Sequence, residues 1–406
     1  MNYGSMPKEA SGGRARRLRR AAWIVVAALL LGGVQARQAY EEARLQRTRD
    51  KPIGAAEFAR IIKDFSEEGG YFRSDNFVSN ETSYLHIVDK LKELGGSGGA
   101  YVGVGPEQNF TYIAKVRPQI AFIVDIRRQA MLQHLMFKAI FHLAETRAQF
   151  LSLLFSKPIV DRGPEPAAPA EDLVRYFSKA ATDGTAFERN LALIANTIAH
   201  SCRVPVAGND RAMLEYVYSA FRDENLNLQY RSGGFGRFGF GFRGPWGYFP
   251  TLSDLILSTD LHGKLGNFLA SRNDYEFVRS LQESNRIIPI VGDFGGSKAL
   301  ASVASYLKKN GYTVTVFYTS NVEQYLFSSG EFDSFAKNVA LMPITEKSLF
   351  IRAYPNMRAP HPAQVGNHRI TTLLQKITVF LDDYRHGRYT DYWTLVWTHY
   401  IGALRP

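Results

Sequence analysis

A single cysteine, Cys202, in 406 residues leaves no partner for an intramolecular disulfide and no thiolate set for a zinc or iron–sulfur site. With no reactive motif around it, Cys202 reads as a small buried hydrophobe. Gly-x-Ser-x-Gly and His-Glu-x-x-His are both missing, so serine hydrolases and zincins find no support. Lys298 in "GDFGGSK" is not preceded by the Gly-x4-Gly of a phosphate loop, which makes ATP cradling there unexpected. His361 and His368, within "PHPAQVGNH", fit no metal-ligand spacing, and no metal site is expected. No segment repeats. Long apolar runs are lacking too, since the longest, "AAWIVVAALLLGGV", falls short of the roughly 20 residues of a comfortable membrane span.

That run follows Arg14, Arg16, Arg17, Arg19 and Arg20 and precedes "QARQ". A basic stretch, a short apolar core and a small-x-small site ending at Ala36 form the pattern of a secretory leader. Residues 1–36 are therefore expected to be a signal peptide or signal anchor, with the body exported or membrane-anchored through that segment alone. Much of the formal charge of +11 sits there, which weakens any nucleic-acid reading.

After a charged linker over 37–55, residues 56–406 read as one α/β domain. The apolar runs Ala100–Val104, Ile120–Val124, Ile287–Val291 and Thr313–Tyr318, together with "KSLFIRAYP", lack polar alternation, as strands buried on both faces of a parallel sheet do. A helix capped by Asn80 or Thr82 is expected to carry Leu85, Val88 and Leu91 inward. Long helices are expected over Arg128–Phe155 and Thr371–Tyr384, and His134, Lys138 and His142 read as the solvent edge of the first. Between about 157 and 285 lies a helical insertion that contains "YRSGGFGRFGFGFRGPWGYFP". That tract reads as a surface loop over a cleft in preference to a single-strand nucleic-acid binder. The aromatic tail "RYTDYWTLVWTHYIG" is too apolar to be free.

The chemistry points to "AYVGVGPEQNFTYI". A strand, a turn at Gly103 and Gly105, a helix opening near Pro106 or Glu107, and a second strand ending in Asp125 about 20 residues on follow the logic of nucleoside recognition. A turn without side chains lets backbone approach a ligand, the helix start offers N–H donors, and the acid accepts hydrogen bonds from ribose hydroxyls.

In these segments the chain resembles class I S-adenosylmethionine-dependent methyltransferases. It looks still more like a bacterial family of methyltransferase-like proteins, by "GGYF…DN…SNE-SYLH", "GPEQNF", "FIVDIRR", "VGDFGG-KAL" and "FYTSNVEQYL". The resemblance implies a Rossmann-like, methyltransferase-type sheet flanked by helices, with S-adenosylmethionine as cofactor. Gly103 and Gly105 would then lie under its methionine part and Asp125 would hold its ribose, with Gln108, Asn109 and Ile126 as further contacts. Asp293, Asn80, His86 and Tyr318 are the candidates to act on a small-molecule or other acceptor. Two positions depart from the pattern: Tyr101 stands where an acid is common, and Glu107 where a third glycine falls. A carboxylate at the helix start disfavours a pyrophosphate more than a zwitterion. The alternative expectation is an exported, non-catalytic binding protein that keeps the fold without cofactor.

Overall fold

The computed structural model describes Met1 and residues 51–160, 163–230, 249–356, 359–366 and 368–403. The expected leader, most of the linker and most of the Phe/Gly/Arg tract lie outside the described residues. The sheet, its helices and the cleft all belong to the compact unit that begins at Pro52. Among the described residues no helix is long and apolar enough to cross a membrane.

The apolar runs become strands β1 (Ala100–Gly103), β2 (Ile120–Asp125), β3 (Ile287–Val291), β4 (Val314–Ser320) and β5 (Leu349–Pro355). They align in the order β3-β2-β1-β4-β5, every neighbouring pair parallel. A sixth strand, β6 (Ile370–Lys376), closes the far side antiparallel to β5. With β1 to β3 buried along their whole length and helices on the flanks, the protein has a Rossmann-like α/β fold. Because the order reverses between β1 and β4, the crossovers diverge there and leave a crevice beyond the carboxyl ends of the strands.

Helix α1 (Ala55–Phe65) precedes the sheet, α2 (Val88–Glu93) enters β1, and α3 (Gln108–Val116) joins β1 to β2. Between β2 and β3 runs a helical insertion: α4 (Arg128–Leu143), α5 (Arg147–Phe155), α6 (Ala170–Lys179), α7 (Gly184–His200), α8 (Asn209–Glu224), α9 (Leu252–Ile256) and α10 (Arg272–Glu283). Then come α11 (Ala299–Lys309), α12 (Val322–Ser329), α13 (Phe332–Ala340), α14 (Ile377–Arg385) and α15 (Tyr392–Trp397).

Three expectations change. The long helix breaks at Ala144, whose backbone is extended, because Thr146 and Gln149 form a capping box that starts α5 afresh. Thr371–Lys376 is strand, not helix: its residues pair with β5 on one side, and Leu374 exchanges bonds with Ile401 on the other, leaving helix only from Ile377. The segment before β1 forms turns until Val88, and neither Asn80 nor Thr82 caps it, since the cap position is Ile87 with no side-chain bond.

The face carrying His134 and Lys138 is not a solvent edge. From Ala130 to Phe141 every residue of α4 is buried, as expected of a helix enclosed on all sides. Lys138 donates to the Gln282 carbonyl and sits 4.6 Å over the Phe58 ring, and burial pulls its ammonium down to about 8. Cys202 is buried as expected. The aromatic tail docks through stacked Trp393 and Trp397, with His361 against Trp397 and Tyr400.

Candidate functional site

A cleft of about 320 Å³ lies beyond the carboxyl ends of β1 to β4, a volume at the lower end of small-ligand sites. Its floor is the turn after β1. Gly105 has φ +80°, and a Cβ there would meet only Asn76 Nδ2, at 3.8 Å, so it is the backbone conformation that requires glycine. The turn is braced from behind. The Asn109 amide donates to the carbonyls of Val104 (2.9 Å), Gly105 (3.1 Å) and Pro106 (2.8 Å) and accepts from the Tyr101 hydroxyl at 2.9 Å. His134 Nε2 meets the Gly105 carbonyl at 2.8 Å. A Cβ on Gly103 would fall 2.1 Å from Asn109 Oδ1. Gly103 and Asn109 thus shape the turn, while Val104, Gly105 and Pro106 line the cleft. Tyr101, at the position where an acid is common, is part of that brace.

Asp125 ends β2 and lines the cleft, as does the next residue, Ile126. Both Asp125 carboxylate oxygens are already engaged by Arg127: its Nε and backbone N–H reach Oδ1 at 3.0 Å each, and a terminal nitrogen reaches Oδ2 at 2.8 Å. Burial alone would push this carboxyl up, but the charge and hydrogen bonds of Arg127 outweigh it and hold it below the usual carboxylate range. Arg127 also donates to the Ser74 and Asp75 carbonyls. It thereby fastens residues 70–81, which pass over the cleft with Tyr71, Phe72, Asn76, Ser79, Asn80 and Glu81 facing it.

The glycine turn after β3 wraps a carboxylate of the chain itself. Glu67 accepts from the backbone N–H groups of Asp293 (3.0 Å), Lys298 (2.8 Å) and Ala299 (2.8 Å), and a Cβ on Gly296 would lie 2.5 Å from its Oε2. The donors at the start of α11, suited to an anion, are therefore met internally. Glu67→Ala should leave them to water and cost about 1–2 kcal/mol, read as a lower urea midpoint with unchanged slope.

On the opposite wall stands Glu81, buried behind the end of β4. Its Oε1 accepts from Tyr318 Oη and Ser320 Oγ, both at 2.6 Å, and its Oε2 from Gln108 Nε2 at 3.0 Å. Burial pushes the Glu81 carboxyl up against the opposing pull of these three donors. Ser320 is left-handed, φ 53°, where the β4–β5 register shifts. A strained non-glycine residue at a bulge re-aims a side chain and is characteristic of functional sites. Gln108 reaches Glu81, Tyr112 and Tyr318 but does not line the cleft. Glu107 has one oxygen on the Ser79 N–H at 3.3 Å and the other without a partner; burial raises it to about 8.

Of the residues expected to act on an acceptor, the structure brings Asn80, Tyr318 and Asp293 to the cleft. Asp293 caps the Gly295 N–H at 2.8 Å, and its carboxyl is raised by burial and by the neighbouring Glu331 and Glu67 charges. It lies in the turn after β3, an outer strand, whereas Ser320 ends β4, the strand across the crevice from β1. His86 lies elsewhere, edge-on to His368 with ring centroids 4.6 Å apart, and burial lowers it to about 4. Among the described residues no cluster suited to a metal occurs. Sequence reasoning passed over Glu81, Ser320, Arg127 and Glu67. The first two lie inside "SNE" and "FYTSN", but nothing local marks them as partners. The cleft walls carry Glu81, Asp125, Asp293 and Glu331 against the guanidinium of Arg127, among the rings of Tyr71, Phe72, Tyr230, Phe294, Tyr318 and Tyr325.

The family described as Domain of unknown function (DUF7790) matches residues 76–160 and 253–396, more than half of the chain, and the protein belongs to that family. The matched residues include all six strands, Glu81, Asp125, Asp293 and Ser320; the middle of the insertion falls outside. No curated protein matches the chain.

Proposed function

We propose that this cleft binds S-adenosylmethionine or a closely related nucleoside and serves methyl transfer to an acceptor held against the β4 wall. The observation that carries the reading is the charge and ring content of the crevice at the strand-order reversal. Four carboxyl groups face one guanidinium, and six aromatic rings line the same space. Such a site favours a cationic ligand, through both Coulomb attraction and cation–π contact. It disfavours a polyphosphate, all the more because Glu67 already fills the amide cradle of α11. Asp125, at the end of β2, would take the ribose, and the Gly105 turn would allow close backbone approach. The bound cofactor would supply an activated methyl group. The chain's own part is to hold the two partners together, exclude water beneath residues 70–81 and receive a proton.

A second reading, a cofactor-free binding protein that keeps the fold, is favoured by one observation. Both oxygens of Asp125 are held by Arg127, so a ribose must share or displace that contact. Calorimetric titration of the full chain with S-adenosylmethionine and its demethylated product separates the two. The methyl-transfer reading expects saturable binding, weakened at least about 10-fold in Asp125→Asn, the loss of about 1.4 kcal/mol that one charge-assisted hydrogen bond brings. No heat from a folded chain overturns it.

A further inference from the structure

The wall formed by β4 carries an arrangement that the cofactor reading does not require. Ser320 is turned into the cleft by its left-handed backbone and the register shift beside it. Its hydroxyl donates to Glu81 at 2.6 Å, and Glu81 comes from the segment that covers the cleft. Three donors from two other elements fix the carboxyl: Tyr318 and Ser320 on one oxygen, Gln108 on the other. Gln108 is itself oriented by Ser79, Tyr112 and Tyr318. The titratable groups facing Glu81 are tyrosines: Tyr101 from β1, Tyr112 from α3, Tyr318 from β4 and Tyr392 from α15. Among the described residues no ion pair reaches it. A buried carboxyl at the cleft wall, held by neutral donors alone and met there by the Tyr318 and Ser320 hydroxyls, has the form of a proton-accepting relay.

We propose that Ser320 and Glu81 form the docking and proton-accepting site for an aromatic hydroxyl, which binds with its O–H directed at Ser320 Oγ. The phenol's O–H bond breaks and its proton passes to Ser320 Oγ, while the Ser320 proton moves to Glu81 Oε1. This leaves a phenolate, an intact serine and a neutral carboxyl, with charge and protons conserved. Tyr318 and Gln108 position the carboxyl. An aromatic ring suits the neighbouring lining, where Phe72 and Tyr325 meet edge to face at 5.2 Å. A carboxylate acceptor would meet Glu81, Asp293 and Glu331 and be repelled. The inference rests on the methyl-transfer reading only for the alkylation step, in which the phenolate oxygen takes the methyl carbon and the electron pair of the broken S–C bond stays on sulfur.

The test needs no cofactor. The probe is 4-nitrophenol, whose phenol and phenolate forms absorb at different wavelengths, titrated into the full chain across pH. The expected result is saturable binding, with phenolate absorption of the bound probe appearing at lower pH than that of the free probe, because Glu81 takes its proton through Ser320. That shift should disappear in Glu81→Gln. Ser320→Gly removes the hydroxyl and relieves the left-handed backbone. It should bind the probe at least tenfold more weakly while melting at or above the wild-type temperature, which keeps the test decisive if Glu81→Gln does not fold. Equal affinity in Ser320→Gly, a phenolate shift that is absent or that survives Glu81→Gln, or no saturable binding each overturns the proposal. Expected probe behaviour with no S-adenosylmethionine binding would leave the phenol site standing and remove the methyl-transfer reading. Cofactor binding without probe binding would do the reverse.

Discussion

Glu107→Gln is expected to raise the melting temperature by several degrees at pH 8 and to change it little at pH 4.5. In the folded protein the Glu107 carboxyl is enclosed, with one oxygen unpartnered, and burial holds its proton on to about pH 8. The unfolded chain releases that proton near the ordinary glutamate value. Between these two values the folded state therefore binds more protons than the unfolded one, and stability falls as pH rises. Below the unfolded value the group costs nothing by this route. Above about pH 8 the cost levels off, at up to about 5 kcal/mol for a shift of this size. Glutamine has no charge to bury, so its melting curve should lack this decline. Melting temperatures at quarter-unit pH steps read the effect directly. Parallel curves for the two proteins would mean that Glu107 is ionised when folded, with water or an ion meeting its second oxygen.

The second large effect is expected at Asp125. Asp125→Ala should cost about 3 kcal/mol, because the Arg127 guanidinium stays buried with only the Ser74 and Asp75 carbonyls to meet it. Asp125→Ala combined with Arg127→Met should recover most of that loss, since removing both charges leaves nothing unpaired. The pair also predicts an acid limb. The folded value of Asp125 lies below the unfolded one, so its contribution is complete above the unfolded value and lost as pH falls through the folded value. Urea midpoints of the four proteins at pH 7, and of wild type and double variant at falling pH, give the coupling. Additive single effects, with no recovery in the double variant, would show that the two side chains do not depend on one another.

The parts of the fold that were legible in the sequence are those that local chemistry specifies. Unbroken apolar runs bounded by glycine turns specify β1 to β4, since a strand buried on both faces has no polar alternation to confuse it. The Gly105 turn and Asp125 were legible because nucleoside-type crevices need both at a fixed spacing. What escaped depends on distant approach. Ser320 acquires its role from Glu81, 239 residues earlier, and the cradle of α11 is filled by Glu67 from 232 residues away. Arg127 was near at hand, yet "DIRR" does not say whether an arginine points to solvent or folds back on its own aspartate. Residues 371–376 misled for another reason: buried as far as Gln375, they carry no periodicity to tell a strand from an enclosed helix.

The two outer strands have a bearing on how copies of this protein meet. Flanking β3, the Arg286 carbonyl accepts from the Ala121 N–H and the Gly292 N–H donates to the Asp125 carbonyl, so the alternation between them turns Pro289 outward, where a proline forfeits no ladder bond and offers no donor. Further along the same rim, Val291 is occupied by Ser66 and Glu67. At the other rim, Leu374 is taken at both its N–H and its C=O by Ile401. Among the described residues these edge groups are thus met within the chain or offer no donor, which blunts both borders as templates for a neighbouring chain. The closing residues are correspondingly a guard. Shortening the chain to before Ile401 would remove both backbone bonds to Leu374 and bare that stretch of the β6 border.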